Sequence, residues 1–265
     1  MESEPTVITR APNPVPYKDS DTSWRSRPRE LERESVVMSL LPGGGSVLDI
    51  GARDGYYSRL LTQKYQSVTA LDLVAPNIDY PRIRCVAGDV TKLAFPDRSF
   101  DSVICLEVLE HVPALEDACR EIVRVTRYHA VIGVPFDQDL RAGRTTCQNC
   151  GREWAAWKHL HSFTEEQLLD SFAPMHPERI AYAGADKERT NVFSAALMRM
   201  ARHPWGAYQI AEPCSCGAKM EPPQMTAFRK VCAGLAYRID RIQGIFVRER
   251  PDTINILFVN PESAS

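Results

Sequence analysis

The feature that most constrains this chain is the run Val47-Leu48-Asp49-Ile50-Gly51-Ala52-Arg53-Asp54-Gly55. A short apolar segment stops at a glycine. A helical pattern starts at once after Gly55, with Tyr57, Leu60, Leu61 and Tyr65 on a shared face. Glycine reaches backbone conformations that other residues resist, so Gly51 and Gly55 bracket a tight strand-to-helix turn. Such a turn lets the backbone come close to a ligand at a helix N-terminus.

The rhythm that follows extends this unit into a fold. Apolar β-type runs over 67–73, 83–87, 99–106 and 129–134 alternate with helical stretches, of which 114–126 sets Leu115, Ala118, Ile122 and Val125 at helical spacing. Strands joined through such crossovers form a parallel, doubly wound sheet. The expected class is therefore α/β, a Rossmann-like seven-stranded-type sheet with a small insert. A charged helix over 29–41 precedes it and stops at Pro42-Gly43-Gly44-Gly45. After Pro135 the rhythm breaks. A helix over 164–172 carries Thr164 as its cap, 180–183 reads as a strand and 192–200 as an apolar segment. A helix over 224–242 and a strand over 253–259 close the chain. The expected organisation is a flexible arm over 1–27, with four prolines from Pro5 to Pro16, a binding core over 28–136, an insert over 137–222 and a completing segment over 223–265.

Charge excludes little but points away from nucleic acid. The formal net charge is -2, with the signs mixed and no basic stripe. No apolar run approaches the ~20 residues that cross a bilayer, and residues 1–16 lack a secretory pattern. The expected location is cytoplasmic, with no nucleic-acid or membrane partner.

Acids at strand ends sharpen the ligand. Asp49 lies inside the glycine motif, where it can serve the amino-acid end of a zwitterion. Asp72 ends the second strand, where acceptor-only oxygens suit both hydroxyls of a ribose. Asp89 ends the third strand in reach of an adenine amino group, with Val90 beside the ring.

The stretch from Val47 to Val112 resembles the class I S-adenosylmethionine-dependent methyltransferases. Two phrases carry that resemblance: Phe95-Pro96-Asp97-Arg98-Ser99-Phe100-Asp101 before strand four, and Leu106-Glu107-Val108-Leu109-Glu110-His111-Val112 after it. It covers about residues 45–135. It implies that the glycine loop holds the methionine part of the donor, Asp72 its ribose and Asp89 its adenine. The implied donor set is Asp49, Gly51, Arg53, Gly55, Asp72, Leu73, Asp89, Val90, Leu106 and Glu107. One position departs: Arg53 stands where the loop usually has its central glycine. A nicotinamide-dependent oxidoreductase is the alternative, against which the missing G-x-G-x-x-G speaks. A non-catalytic binding module on the same fold is the other, with Arg53 as its hint.

The chain has 8 cysteines. Cys85, Cys105, Cys119 and Cys232 sit singly in apolar segments and read as small core residues. Cys147-Gln148-Asn149-Cys150-Gly151 and Cys214-Ser215-Cys216-Gly217 are close pairs, each followed by a glycine that permits a tight turn. Four thiolates suit tetrahedral zinc in a structural role. A redox couple at Cys147 and Cys150 is the alternative, without a thioredoxin-like strand before it. The stretch from Cys147 to Phe163 also resembles a cysteine-rich insert of some bacterial methyltransferases of this class. Trp154, Trp157 and Trp205 are expected to form its small core, with stacking on a flat or sugar-like acceptor as the alternative.

Methyl transfer to a hydroxyl needs a base near the ends of strands four and five. His111, His159 and His161 are the expected choices, with Glu107 and Glu110 as carboxylate alternatives. The acceptor is expected to be a small molecule or glycan, methylated on oxygen.

Overall fold

The strand leading into the glycine turn, β1 (Gly44–Ile50), is buried over its last four residues, as a parallel strand covered on both faces must be. These facts come from a computed structural model in which residues 23–186, 188–208 and 213–261 are described; most of the expected arm, 1–27, lies outside the described residues. The remaining elements run in chain order. They are α1 (Pro28–Leu40) before β1, then α2 (Tyr56–Leu61), β2 (Tyr65–Asp72), β3 (Ile83–Ala87), β4 (Phe100–Leu106), α3 (Leu115–Val125) and β5 (Thr126–Pro135). A short hairpin, β6 (Thr145–Thr146) and β7 (Glu153–Trp154), precedes α4 (Glu165–Ser171), β8 (His176–Ala183), α5 (Val192–Met200), α6 (Ala227–Phe246) and β9 (Thr253–Val259).

Seven strands form one sheet in the order β3-β2-β1-β4-β5-β9-β8. The pairs from β3 through β5 are parallel, and β9 runs antiparallel to both β5 and β8. The order reverses between β1 and β4, so the crevice for a ligand opens at their carboxyl ends.

Strand alternation sorts the core into two layers. Leu48, Ile50, Val103, Cys105 and Ile132 face α3 and α4, meeting Ala118, Ile122, Leu168 and Phe172. Val47, Ile104, Val131 and Leu257 face the other way, toward Val37, Leu40 and Leu61. Cys105, Cys119 and Cys232 are buried, and Cys85 is partly so.

Local chemistry explains the ends. Thr164 caps α4 in a reciprocal capping box with Gln167. The helix expected over 55–65 stops at Leu61, because Tyr65 is already paired with Gly44 as the first residue of β2. The segment 137–222 is not a single insert: it gives α4 and β8 to the main body, and β8 is the sheet's outer strand.

Candidate active site

The loop after β1 is held from below. Gly51 and Ala52 donate their backbone N–H groups to the Leu71 carbonyl at 2.8 and 3.1 Å. Gly51 and Gly55 have φ of 77° and 78°. A Cβ on Gly51 would lie 2.3 Å from Val108 Cγ2, and one on Gly55 would lie 2.3 Å from Ile78 Cδ1. The glycines thus let the loop pack against its protein neighbours. Arg53, the departure from the usual loop, has φ of 50°. It adopts the left-handed conformation that a glycine there would take at no steric cost.

Asp49 and Asp72 divide the work. Asp49 is buried beneath the loop and accepts a 2.5 Å hydrogen bond from Ser58 Oγ. Burial pushes its carboxyl up to about 7, with the charge of Asp72 adding to the rise. Asp72 lies at the crevice edge. Its Oδ2 accepts from the Arg53 N–H at 2.9 Å and its Oδ1 from the Leu73 N–H at 2.7 Å. Each oxygen keeps a lone pair to spare. The Leu73 side chain beside it is 59% exposed. Asp89 Oδ1 accepts from the Thr91 N–H and hydroxyl at 2.9 and 2.8 Å, which fixes that turn, and Val90 is buried against the core.

The end of β4 carries a cluster of titratable groups. Leu106 is half-buried, and Glu107 has φ of 53°, an uncommon conformation for a side-chain-bearing residue. Arg33 from α1 reaches over the crevice to Glu107 Oε2 at 3.1 Å and to Glu30 at 2.8 Å. Burial raises the Glu107 carboxyl while Arg33 opposes the rise. Arg33 has no counterpart among the expected site residues: its helix reads as charged in the sequence, and the packing of that helix across β5, β9 and β8, which carries Arg33 to Glu107, is tertiary. Glu110 is fully buried and neither carboxyl oxygen makes a hydrogen bond among the described residues. Burial pushes it well above the carboxylate range, and Glu107 pushes it further.

The segment after β7 folds back onto this loop. Leu160 donates its N–H to the Glu110 carbonyl at 2.6 Å. That brings His159 edge-on to His111, with ring centres 4.7 Å apart and planes at 82°. His111 Nε2 stands 4.0 Å from Glu110 Oε1, and its side chain is 44% exposed. His159 is buried and its Nδ1 lies 2.6 Å from Gln138 Oε1. Burial, with the neighbouring His111, pushes it down to about 3, so it stays neutral. His161 Nε2 sits 2.8 Å from the Val112 carbonyl. A carbonyl only accepts, so that nitrogen carries a proton and the ring serves as a strut.

The four paired cysteines converge. Sγ of Cys147 lies 3.7 Å from Cys216, and Sγ of Cys150 lies 3.7 Å from Cys214; all four lie within 4.8 Å of one another. A disulfide needs ~2.05 Å. Zinc bonds of ~2.3 Å in a tetrahedron set sulfurs ~3.8 Å apart, which matches. Gly151 and Gly217 take φ of 75° and 82° in the two turns. Trp154 packs on Cys147, Cys214 and Met220. Trp157 and Trp205 are 54% and 56% exposed, so they are not the knuckle's core. Trp205 meets Tyr237 on α6 instead.

A doubly wound sheet with a tight glycine turn after its first strand and acids ending the next two defines a nucleoside-binding α/β protein. Residues 48–132 match the family model described as a methyltransferase domain. This core, residues 48–132, is a methyltransferase domain of the class I S-adenosylmethionine-dependent type, and S-adenosylmethionine is the ligand which that likeness supports. The chain is 31% identical over 160 residues to a malonyl-[acyl-carrier protein] O-methyltransferase of Serratia marcescens, covering 58% of each chain. It is 33% identical over 110 residues to a ubiquinone biosynthesis O-methyltransferase of Xylella fastidiosa (strain M23), covering 37% of this chain and 44% of that one. The chain spans about half the length of these curated relatives. Its fold is shared with the N-methyltransferase NodS from Bradyrhizobium japonicum WM9, solved with S-adenosyl-L-homocysteine. That likeness has a TM-score of 0.52 at 14% identity and covers 92% of this chain and 93% of that one. No helix among the described residues is long and apolar enough to cross a membrane.

Proposed function

We propose that the protein methylates a hydroxyl oxygen of a small molecule or glycan in the cytoplasm, with His111 as the base and one structural zinc on the four cysteines. The observation that carries this reading is the His111–His159 pair at the carboxyl end of β4, beside the crevice edge marked by Asp72 and Glu107. Both curated relatives are O-methyltransferases by name.

Asp72 holds the ribose hydroxyls and Asp89 the adenine edge, while Arg33 offers a cation to the donor's carboxylate. The donor supplies an electrophilic methyl group on a sulfonium. His111 is accessible and takes the acceptor's hydroxyl proton as the oxygen forms its bond to the methyl carbon and the carbon–sulfur bond breaks, with S-adenosylhomocysteine leaving as a neutral thioether. His159 does not titrate near neutrality; held by Gln138, it fixes the plane of His111. Such positioning by a buried neighbour is how a base is kept in reach of its proton. The zinc knuckle ties Cys147 and Cys150, just after β6, to Cys214 and Cys216, and so braces the segment that delivers His159.

Calorimetry with S-adenosylhomocysteine and then a panel of phenols and sugars assayed for its release tests the reading. Donor binding with release on hydroxyl acceptors is expected. Release with amines alone would replace oxygen by nitrogen, and failure to bind the donor would end the proposal.

A further inference from the structure

The two helices α5 and α6 stand apart from the cores flanking the sheet. They share a small core of their own, Ala201, Cys232 and Ala233 with Leu197, Met198 and Met225. Asn191 Nδ2 donates to Gln243 Oε1 at 2.6 Å and Ser194 Oγ to the Ala236 carbonyl at 3.0 Å. The helices are therefore antiparallel, and Phe193, 74% exposed, lies beside the C-terminal end of α6.

The face of α6 turned from α5 is apolar. Phe228, Val231, Leu235, Ile242, Ile245 and Phe246 are all exposed, the last two at 75% and 80%. At 100° per residue they fall within about 100° of one another on the helix, a single stripe about 27 Å long at helical rise. A stripe of this kind marks an interaction surface.

Its charge selects the occupant. The helix holds Arg229, Lys230, Arg238 and Arg241 against one carboxylate, Asp240, which accepts from Thr190 Oγ1 at 3.0 Å on the α5 side. Arg238 falls in the middle of the stripe. A second copy laid face to face about that middle would set Arg238 against Arg238, with no exposed carboxylate of α6 to compensate. At a lipid–water boundary the same arrangement is favourable, because apolar side chains enter the acyl edge while arginine heads reach anionic headgroups.

We propose that the α5–α6 face docks on an anionic bilayer surface. This departs from the sequence expectation of no membrane partner, which rested on the length needed to cross a bilayer. Lying on the surface requires no such length.

The full chain is to be sedimented with phosphatidylcholine vesicles, with and without an equal part of phosphatidylglycerol. Binding at least tenfold tighter to the anionic vesicles is expected, since each cation near the surface contributes about 1 kcal/mol, a factor of about five. Ile245→Glu with Phe246→Glu should lower binding about tenfold while donor affinity by calorimetry stays unchanged, which shows that the fold survives. Arg238→Glu with Arg241→Glu should remove the preference for anionic vesicles. Equal binding to both vesicle types, or to neither, overturns the proposal. A concentration-dependent dimer without vesicles, lost in the Ile245→Glu variant, would assign the face to a second copy instead.

Discussion

The donor crevice and the cysteine knuckle are built in opposite ways. The crevice is made of short contiguous phrases, each at the end of its own strand, so Gly51, Asp72 and Asp89 are placed by secondary structure and register. The knuckle joins residues 64 to 69 positions apart through a two-strand hairpin and a second turn. The first depends on a core that forms from regular elements. The second has few apolar residues, and a zinc ion on its four sulfurs would hold it together as small structural zinc sites are held. The segment that carries the first cysteine pair also brings His159 to the end of β4.

The largest expected effect lies where the two regions meet. His111→Ala should lower turnover by roughly 100- to 10,000-fold, the scale of general-base catalysis, with donor affinity nearly constant. Turnover within tenfold of wild type would move the role to alignment alone or to a carboxylate such as Glu107. Next comes Asp72→Ala, which removes acceptors for two ribose hydroxyls. Each such bond contributes about 1.5–3 kcal/mol, so donor affinity should fall at least tenfold. Metal content by emission spectroscopy should be unaffected, and unchanged affinity by calorimetry would break the crevice assignment.

Cys147→Ser tests the other side. Wild type should carry about one zinc per chain, and the variant should lose most of it along with part of its thermal midpoint. Donor affinity should change by less than about threefold, because Asp72 and Asp89 are not braced by the knuckle. A fully zinc-loaded variant, or wild type without zinc, refutes the site.

Acid titration separates the regions by sign. Asp49, pushed up to about 7, keeps a proton in the folded state that the unfolded chain has already lost. Its burial therefore costs stability as pH rises from the ordinary carboxylate range toward 7. His159, pushed down to about 3, does the reverse: the unfolded ring takes a proton below its ordinary value and the folded ring does not, so stability falls as pH drops. Each contributes on the order of 1–3 kcal/mol. Urea midpoints across acidic to neutral pH should become more strongly pH-dependent in Asp49→Asn and flatter in His159→Gln. Slopes that move the other way would contradict the two environments. The smallest effect is that of Arg53→Gly, which relieves a left-handed residue and should raise the thermal midpoint by about 1–3 °C with donor affinity retained. A lower midpoint would mean that the Arg53 side chain contributes more than its backbone costs.

Much of the crevice was readable because its signals are local. Glycine takes a positive φ at the least steric cost, and an acid that ends a strand is placed by that strand, so the positions of Gly51, Gly55, Asp72 and Asp89 follow from local sequence. The paired cysteines were readable too, since thiols three or two residues apart followed by glycine have few other uses. Spatial order was not. Arg33 lies 74 positions from Glu107 in sequence, and nothing in its helix says which strand end that helix will cross. The tryptophans misled for the same reason: Trp157 and Trp205 are as apolar as Trp154, but only Trp154 falls inside the knuckle.

Periodicity and turn chemistry in the chain settle which segments become the strands and helices of the sheet. Only the folded chain settles which histidine is accessible, which is buried and neutral, and which is a strut. His111, His159 and His161 are chemically identical side chains; Glu110, Gln138 and the Val112 carbonyl make them different. Glu110 and Val112 flank His111 in sequence, whereas His159 and His161 reach that loop only when the segment after β7 folds back across the end of β4. Protonation state follows desolvation and neighbouring charge, and both are properties of that packing rather than of the residue itself.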